Sequence, residues 1–171
     1  MVGLARGTVA LEPWTPEWRA AYEREAARIR GLAAGRLLGV EHVGSTAVEG
    51  LVAKPVVDVL ALAADENGVE GLATVLTEAG YERRPDDVPD RAFLVRGPPD
   101  ERTHYVSVTP AGSDTHREQV AFRDALRADP DLRAEYNGLK RELAAAHPDE
   151  RAAYTAAKSS FVERVLDDVL G

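Results

Sequence analysis

HVGSTAVEGLVAKPVVD, residues 42–58, is the stretch on which the reading of the whole chain turns. A strand running to Val43 must stop at Gly44, because glycine admits the tight backbone turn that side chains resist. Ser45 and Thr46 then offer hydroxyls and N-caps for a short following helix. Free backbone N–H groups at such a turn form a small cradle for an anion, and phosphate fits it. Lys54 lies in the loop that follows, where it is either a solvated loop lysine or an added point charge. Asp58 comes next, inside the apolar run PVVDVLALA of Pro55–Ala63. A carboxylate in a buried strand is costly unless it faces a cation, a hydrogen-bond cluster or an open cleft.

Outward from this stretch, the pattern is mixed first and helical later. Thr8–Trp14 reads as a short edge strand. Thr15-Pro16-Glu17 supplies an N-cap, an N1 proline and a first-turn acid. Trp18, Tyr22, Ala26, Ile29 and Leu32 follow at helical spacing, predicting a helix to about Ala34 with Gly35 as its stop. Leu37–Val43 and Pro55–Ala63 are strands, the second continuous enough in hydrophobicity for a buried central position. Val69–Ala79 reads as a helix ended by Gly80. Tyr81–Arg84, Ala92–Arg96 and Thr103–Val108 are strands, the last two a hairpin around Gly97-Pro98-Pro99-Asp100. Asp114–Arg127, Asp131–Ala146 and Glu150–Leu170 are helices. The fold class is therefore α+β: a mixed sheet core over about 1–112 and a C-terminal helical layer over about 113–171, in one domain.

Composition narrows the function. The 171 residues carry 21 basic and 29 acidic side chains, a net charge of −8, and no cysteine. That balance argues against an extended nucleic-acid footprint, which needs clustered Lys and Arg. It leaves room for a small phosphate site. Without cysteine there are no disulfides, thiolate metal sites or thiol nucleophiles. No stretch approaches the ~18 apolar residues of a membrane span, and Met1–Val9 lacks the apolar core of a signal peptide. A soluble, cytoplasmic protein with no membrane partner is the expectation.

Gly44-Ser45 followed fourteen residues after the glycine by Asp58 in an apolar strand resembles the nucleotidyltransferase superfamily. In that superfamily the Gly-Ser turn holds a nucleotide's phosphates, and strand carboxylates hold divalent metal. The longer string GSTAVEGLVAKPVVDVLAL, preceded by Glu41-His42-Val43, resembles the GrpB family, a branch of that superfamily. The resemblance extends through Pro13-Trp14 and Trp18, Gly80-Tyr81, Arg102-Thr103-His104, Phe122-Arg123 and Leu126-Arg127. It includes the C-terminal pairs Tyr136/Lys140 and Tyr154/Lys158, which place an aromatic one turn before a lysine. For these pairs the plainest account is a core tyrosine beside a snorkelling lysine.

The resemblance implies a nucleotidyltransferase-like enzyme that binds a nucleotide or other phosphorylated small molecule with a divalent metal (Mg, Mn or Zn). Asp58 would be the metal ligand and a catalytic group. Gly44, Ser45, Thr46, Lys54 and Lys158 would bind the phosphates. This chain also departs from the superfamily's pattern. Val56 stands where the first acid of the metal-binding pair belongs, and Thr103–Val108 offers His104, Tyr105 and Ser107 where a third carboxylate is expected. Glu49 replaces the proline more typical of the family. His42 and His104 are the substitutes at hand, because His–Asp–His suits a transition metal or acid–base catalysis. Each is equally well a structural, hydrogen-bonded histidine. His116 and His147 read as surface residues, and Asp86, Asp87 and Asp90 as a solvated acidic turn. Lys140, Arg102 and Arg123 could close the cleft or simply meet water. The alternative function is a non-catalytic folding or assembly accessory, because GrpB-like domains occur fused to dephospho-CoA kinases. Such a protein partner would have to be met in trans.

Overall fold

The computed structural model describes residues 2–5 and 10–171. Five strands form one mixed sheet: β2 (Gly39–Val43), β4 (Val57–Ala63), β5 (Glu82–Arg84), β6 (Ala92–Arg96) and β7 (His104–Pro110). Their order is β2-β4-β7-β6-β5, with β4 and β7 parallel and the other neighbours antiparallel. The β6–β7 hairpin is the one expected from the Gly-Pro-Pro-Asp turn. A two-residue ribbon, β1 (Glu12–Pro13) against β3 (Val52–Ala53), lies beside the sheet. The rest of the expected first strand includes Thr8 and Val9, which lie outside the described residues.

Two helical layers cover the sheet. On one face, α1 (Pro16–Leu32) and α2 (Glu66–Glu78) bury Ile29 and Leu72 against Val57, Val59, Ala61 and Val106. On the other, α3 (Asp114–Ala128) meets Leu60 and Leu62 through Val120. Two further helices, α4 (Pro130–Ala146) and α5 (Arg151–Leu170), pack on α3, burying Tyr136 and Phe161 with Val48 and Leu51. β4 is apolar on both faces because it is an interior strand covered on both.

Local chemistry sets the boundaries. The Thr15 hydroxyl accepts from the Glu17 N–H and starts α1. α2 begins at Glu66, three residues before the apolar pattern does, because the Asp65 carboxylate accepts from the Gly68 N–H at 2.7 Å. β2 starts two residues later than the expected Leu37, and Leu38 stands exposed beside it. β3 was not expected, since two residues carry no periodicity to read. β2 is an edge strand, and two of its carbonyls are already used: the Tyr22 hydroxyl donates to Val40 O and Arg123 Nη1 to His42 O, both at 3.1 Å. That blunts the edge against pairing with another chain.

Candidate functional site

β2 delivers the chain to Gly44, whose φ of +74° lies in the region reserved for glycine. A Cβ there would sit 3.0 Å from Asp58 Cγ and nearer still to Oδ2. The turn and the strand carboxylate therefore touch only because residue 44 has no side chain. Ser45–Ala47 follow as a single 3₁₀ turn. Four side chains fix it, from the β1–α1 connection, β2, α3 and α4. Trp14 Nε1 donates to Thr46 O at 2.9 Å, and His42 Nε2 lies 2.9 Å from Thr46 Oγ1. Arg127 donates Nε and Nη2 to Ala47 O at 3.0 and 2.7 Å, and Lys140 Nζ donates to Ser45 Oγ at 2.9 Å.

Ser45, Asp58, Lys54, Lys140 and Lys158 line one cavity of about 120 Å³, with Tyr136 and Tyr154 in its walls. It adjoins a larger cleft of about 1140 Å³, which Asp58, Lys54 and Lys158 also line, between Tyr105 and Phe93 of the sheet and the Ala152–Ser159 face of α5. The chain contains three lysines against eighteen arginines, and all three lysines are in this cavity. Lysine is a compact point charge that enters a small cavity where a planar guanidinium does not fit.

Lys140 is 1% exposed. Besides Ser45 Oγ it donates to Val52 O, and its ammonium lies 4.5 Å from the Tyr136 ring centroid. Burial, and then Lys158 and Lys54, hold its pKa well below the ordinary lysine value. No carboxylate lies within 4 Å of it among the described residues. Lys158 and Lys54 approach the Tyr154 ring at 4.8 and 5.5 Å. The Tyr154 hydroxyl is buried and has no hydrogen-bond partner among the described residues. Burial pushes the Asp58 carboxyl up to about 6, against the opposing pull of Lys54, Lys158 and Arg91.

The expected His–Asp–His cluster does not form. Side chains alternate along a strand, and the register decides on which face each one falls. Asp58 pairs with Val43 and Tyr105, whereas His42 pairs with Val59 and His104 with Val57. Both histidines therefore project to the α1 face, opposite Asp58. His42 stacks on Tyr22 at 4.5 Å, and its pKa is lowered to about 3 by burial and then by Arg127, Arg123 and Arg19. Neutral at all ordinary pH, it positions Thr46. His104 Nδ1 meets Thr103 Oγ1 at 2.8 Å, and its Nε2 lies 3.7 Å from Glu25. Thr46 reaches the cavity, but its hydroxyl is engaged by His42.

Other candidates are satisfied elsewhere. Arg102 pairs with Glu82, Arg123 with Glu41, and Asp86 with Arg91. Asp90 accepts from the Thr115 hydroxyl at 2.6 Å, so the acidic turn is partly a clasp and not a solvated loop throughout.

A divalent metal at Asp58 finds a poor donor set. Val56 holds the first acid's place, and of the later-strand residues Tyr105 lies directly beside Asp58 in the register and Ser107 beside Leu60, neither of them an acid. No group of three His, Cys, Asp or Glu suited to a metal occurs among the described residues. One carboxylate ringed by lysines does not supply the oxygen cage that Mg²⁺ requires.

The GrpB protein family model matches residues 8–168. The chain belongs to the GrpB family. It is 40% identical over 163 residues to a UPF0157 protein of Pseudomonas aeruginosa, spanning 92% of this chain and 66% of that one. It is 29% identical to the glutamate-rich protein GrpB of Alkalihalophilus pseudofirmus, spanning 99% of this chain and all of that one. The crystal structure of GrpB from Enterococcus faecalis superposes with a TM-score of 0.85 at 31% identity, covering 94% of this chain and 97% of that one. The Cid1 poly(U) polymerase, solved with MgGTP, superposes at 0.52 with 11% identity, over 78% of this chain and 44% of that one. That likeness shows a shared fold. A dephospho-CoA kinase of Mycolicibacterium paratuberculosis is 32% identical over 92% of this chain, which spans 45% of that protein. No helix among the described residues is long and apolar enough to cross a membrane.

Reading the sequence undervalued Lys140 and left Tyr154 out of the site. Lys140 is no snorkelling lysine, because its head group is at the wall of the cavity. The scarcity of lysine in an arginine-rich chain is the signal that would have found it.

Proposed function

We propose that this GrpB-family protein binds a phosphorylated small molecule or nucleotide at the Ser45 turn, with the phosphate group among Lys54, Lys140 and Lys158. The observation that carries this reading is the gathering of every lysine in the chain around Ser45 and Asp58. A buried ammonium without a carboxylate is costly, and a bound anion relieves the cost at Lys140. The rest of the ligand lies in the adjoining cleft, along Tyr105 and Phe93.

If transfer occurs there, Asp58 is the general base, with a pKa of about 6 suited to neutral pH. It takes the proton of an acceptor hydroxyl as that oxygen bonds to phosphorus. The phosphorus–oxygen bond to the departing phosphate breaks, and the lysines neutralise the charge that departs with it. Asp58→Asn keeps the shape and removes the charge. It should lower transfer by at least ~10²-fold while the melting temperature holds or rises. The paired measurement is thermal stability and nucleotide binding of both proteins across a nucleotide panel. Binding of no nucleotide by either protein would sink this reading, and lower stability with unchanged transfer would remove Asp58 as its base.

A second reading rests on the dephospho-CoA kinase that contains a related segment. Here the chain is an accessory that assists a kinase domain supplied in trans. Co-refolding with that domain tests it, and Asp58→Asn would then have no effect on the assistance.

A further inference from the structure

We infer that the lysines replace the metal: the site takes a di- or polyphosphate end group directly on Lys54, Lys140 and Lys158, and binds it without Mg²⁺. The inference rests on the phosphate reading above and names the form in which the ligand arrives. The resemblance to nucleotidyltransferases implies strand carboxylates that hold a divalent metal. This site reverses the signs, presenting three ammonium groups and one carboxylate. Where further acids are expected stand Val56 and, on the later strand, Tyr105 and Ser107, none of them an acid. Lys140 occupies the wall beside Ser45 and is fixed by Ser45 Oγ and Val52 O. A divalent cation brought to Asp58 would meet three like charges lining the same cavity. A bare phosphate oxygen meets the same charges favourably and reaches donors already in place.

The geometry also supplies a neutral donor. The buried Tyr154 hydroxyl has no hydrogen-bond partner among the described residues, and Lys54 and Lys158 both lie over its ring. A phosphate among those lysines offers the acceptor that a buried hydroxyl needs. Asp58 then keeps a role that a metal ligand would give up: its carboxylate is left open to hold a proton at the cleft, beside the phosphate.

Isothermal titration with inorganic pyrophosphate tests this, run in EDTA and again in excess Mg²⁺. Binding in EDTA is expected, with Mg²⁺ leaving the affinity unchanged or weakening it by sequestering the ligand. Lys140→Met is expected to weaken binding at least ~10-fold. If that variant fails to fold by circular dichroism, Lys158→Gln carries the same expectation from a partly exposed position. Binding that appears only with Mg²⁺ overturns the inference and leaves the phosphate reading standing. Binding that survives both lysine substitutions overturns it as well. No binding under either condition, with nucleotides silent too, removes the phosphate reading and this inference with it.

Discussion

Two polar clusters lie on opposite faces of the β4–β7 pair. On the α1 face, the Glu25 carboxylate is 2% exposed and engaged at both oxygens: the Tyr81 hydroxyl donates to Oε1 and Arg96 Nη1 to Oε2, while His104 Nε2 stands 3.7 Å off with no hydrogen-bond partner among the described residues. Burial, and then Glu25, hold the Tyr81 proton on firmly. On the α5 face, Lys140 is as deeply buried but has carbonyl, hydroxyl and ring for company. One face holds a carboxylate closed in by its donors. The other holds cations that leave room for an acceptor. A carboxylate whose donors are in place ties elements together, whereas buried cations short of a carboxylate describe a missing ligand.

The largest effect should come from removing the satisfied carboxylate. Glu25→Ala strands Arg96 and the Tyr81 hydroxyl and is expected to cost about 3 kcal/mol in urea unfolding. Pyrophosphate affinity should stay within ~2-fold of wild type in the surviving folded fraction, because Glu25, Tyr81, Arg96 and His104 do not line the cavity. A large loss of affinity with unchanged stability would show that the two faces are one unit, and the comparison would fail.

Gly44→Ala strikes where the turn meets the strand. The new Cβ takes a φ that disfavours it and presses on the Asp58 carboxylate. A loss of about 2 kcal/mol is expected from the strain. Pyrophosphate affinity should fall at least ~10-fold, since Ser45 moves with the turn. Full retention of both would mean that the turn gives way freely and that its rigidity contributes nothing.

The contrast between the faces also explains what could be read from sequence. The Gly44-Ser45 turn and Asp58 were legible because a glycine beside an apolar strand and a lone carboxylate within it are local anomalies. The order of sheet and helices followed from periodicity and from caps such as Thr15 and Pro16. Which face His42 and His104 take was not legible. That depends on pairing register, and a shift of one residue would have put them with Asp58. Lys140 reaches Ser45 across ninety-five positions, a contact made by how α4 folds back, and no local pattern announces it. Its tyrosine neighbour one turn before it suggested a lysine reaching for water. The cluster around Glu25 stayed out of view because it joins α1, β6 and β7 with the Tyr81 turn, each with unremarkable sequence.

The smallest expected effect is in the pH dependence of the incomplete cluster. Unfolded, Asp58 releases its proton near 3.8; folded, burial delays release to about 6. Between those values the folded chain binds the proton more tightly than the unfolded one. The stabilising contribution is therefore fully present below pH 3.8 and is lost as pH rises through 6. Asn at this position has no such dependence. Urea midpoints of wild type and Asp58→Asn, taken at intervals from pH 4 to 7, isolate it from other carboxylates common to both proteins. The variant should gain on wild type across that window, by on the order of 1 kcal/mol once solvent screening at the cleft is allowed for, and the difference should be flat above it. Bound pyrophosphate should enlarge the gain, because a second anion beside Asp58 raises the cost of its charge. A difference running the other way, with wild type gaining as pH rises, would mean that the lysines outweigh burial and that Asp58 completes the cluster as Arg96 completes Glu25. The two faces would then be alike, and the cavity would have no charge left over for a ligand.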